Sequence, residues 1–454
     1  MMRVAKLSQA SPGLGQRRWT GLATRVLLMA FVAALLADDG APALMAQQAE
    51  TTEDIVVVLP PGATVSGVLR DFDVRPTHRF NKVVNGFAAE VPPGIRRALE
   101  RIPGAIVSPN RPVEAVAKVT AQRKHHKKKK KRKKGGNQNP PPAPAPQSQT
   151  IPTGIRRIAA DQNPQAAIAG DGGAVDVDVA VFDTGIAAHP DLTIADGTAC
   201  TGEGTADGNG HGTHVAGTIG AQDNGFGVVG VAPGARLHPV KVLDNQGGGD
   251  SASIICGLDW VVANAERIDI VNMSLTGSAP ETTCLNDALH AAVCNTIAAG
   301  VTVVVAAGND AQDAAGYFPA NYDEVITVSA LSDFDGRPGG QAASTCYNDA
   351  DDSFAGYSNF GAEVDITAPG TCILSTWPGG TYQALYGTSM ATPHVTGAAA
   401  LYISVNQAAT QVDVLGYLLG PTGSRPQQSP EGLVAGDDPD AIPEPVLYIP
   451  TGIP

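Results

Sequence analysis

Apolar positions change rhythm several times along this chain. From about residue 149 onward they fall into short, strongly apolar runs separated by longer amphipathic stretches. Residues 175–182 alternate apolar and polar side chains and stop at Asp183, while 268–275, 301–307 and 325–330 are nearly unbroken apolar runs. Runs of this length rich in Val and Ile predict strands, and strands without alternation are those buried on both faces. Between them, residues 251–265, 287–299 and 389–405 carry helical spacing. The alternation predicts an α/β fold, a central and mostly parallel sheet with helices on both faces. In such sheets functional groups gather at the carboxyl ends of the strands.

Two further rhythms precede this region. In residues 51–118 the pattern predicts strands at 54–59, 83–91 and 105–107 and helices at 64–72 and 95–102, read as the β-α-β-β-α-β order of a small ferredoxin-like α+β unit. Nearer the N-terminus, Arg17, Arg18 and Arg25 precede an apolar run over 26–36, and small residues follow, with cleavage expected after Ala43 or Ala46. That arrangement predicts an export signal over residues 1–46, followed by no stable membrane span and a secreted product. The run is short of the roughly 20 apolar residues a membrane helix needs.

Composition sharpens this picture. The chain has 454 residues, 43% hydrophobic and 17% charged, which excludes a disordered chain. The net charge of −13 hides a split: residues 1–149 hold 24 Lys/Arg against 10 Asp/Glu (+14), and 150–454 hold 7 against 34 (−27). An acidic body disfavours nucleic acid as a partner and favours cations. The basic excess is concentrated at 123–134, RKHHKKKKKRKK, followed by a Pro- and Ala-rich stretch, so residues 119–148 are read as a solvated, cleavable linker. Nucleic-acid binding rests on that run alone. Opposite charges attract at low ionic strength, so the linker is expected to touch the acidic body until it is removed.

Three segments carry chemistry. VAVFDTGI places Asp183 at a strand end, GNGHGTHVAGT places His211 at a helix start, and YGTSMATPHVTGAAAL places Ser389 at a loop-to-helix junction. A serine hydroxyl is a weak nucleophile; it needs a base to take its proton, and the base needs an orienting carboxylate. Taken singly, Asp183 could be a turn cap, and His211 with His214 could suggest a metal pair, although no third ligand lies nearby in sequence. His238 and His394 are read as structural.

Taken together, DTG, HGTHVAG, VNMSL, AAGND and GTSMATPHV, in the order Asp…His…Ser over roughly residues 150–405, resemble the subtilisin-like serine proteases, the subtilases. The resemblance implies a secreted endopeptidase with Asp183 as orienting carboxylate, His211 as general base then acid, Ser389 as nucleophile and Asn309 as oxyanion-hole amide. It aligns Ser274, Leu275 and Thr276 with one backbone edge of a substrate cleft, Gly248 and Gly249 with the opposing edge, and Ala306, Ala307 and Gly308 with the pocket wall. Thr276 stands where many relatives have glycine, so medium or large apolar P1 residues are expected. Polypeptides are the implied substrates, the chain is expected to be monomeric, and residues 51–118, with NGFAAEV, resemble the family's inhibitory prodomain. The long basic linker departs from the family pattern.

Calcium is implied in the same way. Gln149, Asp191 and Asn224 align with side-chain ligands of the family's strong site, and carbonyls of Gln222, Phe226 and Val228 complete it, a donor set of hard oxygens suited to Ca²⁺. The spacing from Asp183 to Asp191 is one residue shorter than the family pattern. All six cysteines lie between Cys200 and Cys372, which suits an oxidising compartment. Sequence permits 15 connectivities; the expected pairs are Cys200–Cys256, Cys284–Cys294 and Cys346–Cys372. Ten helical residues rise about 15 Å, beyond disulfide reach, so Cys284 should precede the helix that holds Cys294. Asn272-Met273-Ser274 spells a glycosylation sequon but lies in the expected substrate edge, where no glycan is expected. The alternative from another class is a silent peptide-binding domain on the same fold, which turnover of a denatured protein such as casein separates from an enzyme.

Overall fold

The computed structural model describes residues 51–115, 117–119 and 148–453, apart from 428, 430–431, 434–438 and 441. The predicted export signal and most of the basic linker lie outside the described residues. The elements run β1 (Glu53–Val58), α1 (Val65–Asp71), β2 (His78–Phe80), β3 (Gly86–Val91), α2 (Pro93–Leu99), β4 (Ile106–Pro109), β5 (Pro112–Ala115), β6 (Lys118–Val119), α3 (Thr153–Arg157), β7 (Asp178–Asp183), β8 (Thr198–Ala199) and α4 (His211–Gly220). They continue with β9 (Arg236–Lys241), β10 (Gly248–Asp250), α5 (Ser251–Ala263), β11 (Ile270–Met273), β12 (Leu275–Ser278), α6 (Ala288–Ala298), β13 (Thr302–Ala306), β14 (Tyr317–Phe318), β15 (Ile326–Ser332), β16 (Ser353–Phe354), β17 (Ile366–Pro369), β18 (Ile373–Trp377), β19 (Thr381–Tyr386), α7 (Thr388–Val405), α8 (Gln411–Leu418), β20 (Ser424–Arg425) and β21 (Val446–Leu447). No described helix is long and apolar enough to cross a membrane.

The main sheet has the order β20-β21-β17-β15-β13-β11-β7-β9-β8, with β16 paired to β15. All pairings from β21 to β8 are parallel, and β20 and β16 are antiparallel. Successive strand side chains point to opposite faces. In β7, Val179 and Val181 enter one core cluster with residues of α4 and α7, while Ala180 and Phe182 enter the other with residues of α5 and α6. Both faces are therefore buried, as the unbroken apolar runs predicted. From β7 the chain crosses to β9 on one side and later to β11 on the other, so the strand order switches at β7.

The small unit forms an antiparallel sheet of order β2-β3-β1-β4. Ile55, Val57, Phe87, Ala89 and Val91 cover one face together with Leu69 of α1 and Leu99 of α2. Val56, Phe80 and Ala88 on the other face join the body cluster that includes Ile255, Leu258 and Ala292. Polar contacts tighten this junction. Asp259 on α5 accepts the backbone N–H groups of Asn81, Lys82 and Val83 at 3.0, 2.6 and 2.9 Å. Asn110 accepts the Ala252 N–H at the start of α5, and Ser108 accepts the Ala288 N–H at the start of α6, each at 2.9 Å. Helix N-termini leave N–H groups unpaired, and here the small unit supplies acceptors for two of them.

The described tail wraps the body rather than standing apart. Helix α8 begins with a capping box between Thr410 and Asp413, β21 adds to the β17 edge, and the Ile449 N–H reaches the Ile158 carbonyl at 2.8 Å. All three cysteine pairs are closed as expected, Cys200–Cys256, Cys284–Cys294 and Cys346–Cys372, and Cys284 lies in the loop before α6. Asn272 is fully buried, donating to Ser274 Oγ and accepting from Thr396 Oγ1, which leaves the sequon inaccessible.

Candidate active site

Asp183 is the last residue of β7, at the carboxyl end of the strand where the sheet order switches. Its carboxylate is fully buried and faces His211 Nδ1 through both oxygens, at 2.7 and 2.8 Å. An ionised carboxylate can only accept, so Nδ1 donates and Nε2 is left as the lone-pair nitrogen. Nε2 is buried and makes no hydrogen bond with any described residue. Burial pulls the His211 pKa down, but the Asp183 charge, the Asp183 hydrogen bond and the Asp207 charge together carry it above the ordinary imidazole value.

The helix that carries His211 starts abruptly. Gly210, with φ of 111°, precedes it, and a Cβ there would stand 2.4 Å from the Trp377 ring. Asp207 holds this start, accepting from the N–H groups of Asn209, Gly210 and Thr213 and from the Thr184 and Thr213 hydroxyls. Sequence reading missed Asp207. Its signal was an Asp shortly before a helix start, in DGNGHGT.

Ser389 is the second residue of α7, after Gly387 at its N-cap with φ of 151°. Helix α7 packs against α4. The Ser389 hydroxyl donates to the Ser274 carbonyl at 3.0 Å, and the Ser274 hydroxyl donates to the Ser389 carbonyl at 3.0 Å. The hydroxyl thus bonds to Ser274 rather than to His211. Asn309 Oδ1 accepts from the Thr388 N–H at 2.9 Å and the Thr388 hydroxyl at 3.0 Å, which fixes which end of its amide donates. His214 serves another purpose. Its Nε2 lies 2.9 Å from the Ile373 carbonyl and 3.0 Å from the Gln383 carbonyl, and burial takes its pKa down to about 3, so it stays neutral and ties α4 to the β18–β19 hairpin. His394 is likewise buried, bonded to the Met390 carbonyl and pulled down to about 4.

The two segments aligned with cleft edges hold a strand of the chain itself between them. β5 lies between β10 and β12, pairing Gly248 with Glu114, Gly249 with Val113, Leu275 with Ala115 and Thr276 with Glu114, all antiparallel. Thr276 donates its hydroxyl to the Phe318 carbonyl at 3.3 Å, so it is turned into the wall. Ala306 and Ala307 are fully buried, and a Cβ at Gly308, where φ is 108°, would meet Asn359 Nδ2 at 2.3 Å.

The expected calcium ligands converge on one loop. Asp191 is fully buried; its carboxylate accepts from Asn224 Nδ2 at 3.0 Å, the Val228 N–H at 2.9 Å and the Tyr382 hydroxyl at 3.1 Å. Burial holds its pKa above the usual carboxylate range. Gln149 reaches the same loop, with Oε1 accepting from the Gly225 N–H at 2.8 Å, and the Gln222 N–H donates to the Asp191 carbonyl at 2.9 Å. Phe226 donates its N–H to Asn224 Oδ1 at 3.1 Å. A second group that sequence reading did not single out, Asp333, Asp335 and Asp351, brings carboxylate oxygens within 4.8 Å of one another. Burial pushes Asp333 up to about 7, and Asp333 and Asp351 accept the loop N–H groups of Gly336, Phe334 and Ala342.

The chain matches the subtilase family over residues 175–428. It is 43% identical to subtilisin DY of Bacillus licheniformis over 264 residues, 57% of this chain and 86% of the relative. Subtilisin Savinase of Lederbergia lenta is 42% identical over 273 residues, 60% of this chain and 91% of that one. A thermostable alkaline protease of Halalkalibacterium halodurans is 36% identical over 379 residues, 83% and 87% of the two chains. A match of that length takes in part of the small N-terminal unit. The chain belongs to the subtilase family of serine endopeptidases.

Proposed function

We propose that the chain is the secreted, self-processing precursor of an endopeptidase that cuts extended polypeptides through Asp183, His211 and Ser389. The observation that carries this reading is the buried Asp183–His211 pair with Nε2 left as an acceptor, on a helix packed against the one that presents Ser389. His211 takes the Ser389 proton as the hydroxyl adds to the scissile carbonyl, then delivers it to the leaving amine. The hydroxyl reaches His211 by rotating away from the Ser274 carbonyl; catalytic hydrogen bonds commonly close only with substrate in place. The Ser389 N–H, in the first turn of α7, and the Asn309 amide form the oxyanion hole. The test is casein turnover by the processed chain, with a serine-directed phosphonate modifying Ser389 alone. An unmodified Ser389 in a chain that digests casein overturns the assignment.

Asn309→Ala is expected to lower kcat by about 10²–10³ with little change in KM, a magnitude measured in subtilisin itself. The split matters, because a collapsed pocket raises KM as well.

An extended peptide between two backbone edges gains affinity by strand addition. The chain's own residues 112–115 occupy those edges, which supports residues 51–118 acting as an intramolecular inhibitor. Three disulfides support a secreted product. The buried Asp191, with the Gln149 and Asn224 side chains at the same loop, supports a structural Ca²⁺; the hydrogen-bond partners of its carboxylate are neutral donors, and the ion would supply the positive charge they lack. Excess chelator is therefore expected to lower the melting midpoint. At a calcium concentration near 100 times Kd the lost linkage is about 2.7 kcal/mol, or roughly 4 °C for a body of this size. Asp191→Asn should remove that response; an unchanged midpoint in the wild type counts against a calcium site.

A further inference from the structure

The strand that lies between β10 and β12 keeps touching the body one residue before Pro112. The Arg111 carbonyl accepts the Ser251 N–H at 2.9 Å, and the Arg111 N–H donates to Ser251 Oγ at 3.3 Å. Side chains alternate along this stretch. Val113 is buried, Arg111 and Ala115 are half-buried, and Pro112 and Glu114 are exposed. Positions 111, 113 and 115 therefore face the body, and Val113 enters the cluster that holds Leu243 and Leu275. Arg111 meets a different setting. Its Nη1 donates to Asp287 Oδ2 at 2.6 Å, and its guanidinium carbon stands 5.8 Å from the centre of the Phe318 ring. The Asp287 side chain is 1% exposed and that of Arg111 is 18% exposed. Asp287 Oδ1 is held separately by the Leu289 and His290 N–H groups, which fixes the carboxylate with its second oxygen toward the cation.

Asp287, Phe318 and Ser251 belong to the body, so they stay behind when the small unit leaves. A buried carboxylate deprived of its cation is costly. A peptide that takes the same path by strand addition brings its own side chains to the same alternating places. We infer that Asp287 and Phe318 form a cation subsite of the substrate cleft, which selects polypeptides with arginine, and less strongly lysine, two residues before the apolar residue that takes the place of Val113. The inference rests on the proposed endopeptidase reading and narrows its substrate class. The ring face favours a planar guanidinium over a compact ammonium. The acidic excess of residues 150–454 draws basic chains in the same sense. The subsite thus adds a charge requirement to a cleft otherwise read through backbone edges and apolar walls.

The test uses wild type freed of the small unit and a series of acetylated p-nitroanilides, Ac-X-Pro-Val-Glu-Ala-Phe-anilide, with Arg, Lys, Gln or Glu at X. The acetyl group removes the terminal charge. The kcat/KM of the Arg peptide is expected to exceed that of the Gln peptide by about tenfold, the scale of a hydrogen bond to a charged group. Lys should fall between them and Glu below both. Asp287→Asn keeps a side-chain oxygen that can cap α6, and it is expected to bring the Arg-to-Gln ratio close to one. A merely damaged fold lowers both rates and leaves the ratio where it was, and the wild-type series stands whether or not the variant folds. Equal rates for the Arg and Gln peptides, or no turnover of either, in a wild type that digests casein overturn the subsite alone. A preference for Arg that survives in Asp287→Asn overturns its assignment to this carboxylate. A wild type that cuts neither the peptides nor casein sinks the endopeptidase reading as well.

Discussion

Ser389→Ala is expected to lower kcat toward peptide substrates by about 10⁶, the magnitude found for the nucleophile of subtilisin. The residual rate comes from groups the substitution leaves in place, the Asn309 amide and the backbone of the cleft edges. The fold should tolerate the change. Ser389 Oγ makes one hydrogen bond, to the Ser274 carbonyl, and a bond of that kind contributes about 1 kcal/mol. Thermal unfolding of the uncut variant should therefore stay close to that of uncut wild type. The measurement is single-turnover hydrolysis of a peptide anilide by variant and wild type, both freed of the small unit by a second protease. A loss of less than tenfold, with no contaminating protease, would show that another group is the nucleophile.

Local pattern made some of this molecule legible and hid the rest for identifiable reasons. The alternation ending at Asp183 marks a strand end, because β7 is buried on both faces until its carboxylate turns into the site. Asp287 opens the helical spacing over 287–299 but stands just ahead of the helix, where its side chain accepts the Leu289 and His290 N–H groups. Strand β2 is implied by the β-α-β-β-α-β order, but no run of residues marks where it lies. It is only three residues long, with Phe80 alone buried. The unbroken run at 54–59 looked like an ordinary Val/Ile strand; its lack of alternation reflects a second buried face, against α5 and α6 of the body. The tail elements escaped because β21 is held by one parallel partner, Thr367 with Val446, far away in sequence. The candidate site divides in the same way. Glycine-flanked motifs marked Asp183, His211 and Ser389, but nothing local says that residues 112–115 lie between 248–250 and 275–278. Nor does it say that Asp207 gathers five donors beneath His211. Those are pairings across long stretches of chain.

Asp183→Asn is expected to lower kcat/KM at neutral pH by about 10⁴, a loss attributed in serine proteases to the wrong imidazole tautomer. An amide can donate to Nδ1, which then accepts and leaves the proton on Nε2, where it cannot take one from Ser389. The pH profile separates this from a merely structural loss. In the proposed mechanism the working base is neutral His211. In the wild type, burial lowers its pKa, and Asp183, by charge and hydrogen bond, with help from Asp207, outweighs burial and raises it. Wild-type kcat/KM should thus fall as the pH drops through a value above 6.5, the ordinary imidazole pKa. Without the Asp183 charge, burial prevails, His211 becomes harder to protonate, and the acid limb of the variant moves to lower pH. The two changes have opposite effects in acid: the plateau drops while the limb shifts toward retained activity, so the ratio of wild type to variant narrows as the pH falls. A lowered plateau with an unmoved limb would mean that Asp183 only holds the fold, and that the charge His211 senses lies elsewhere.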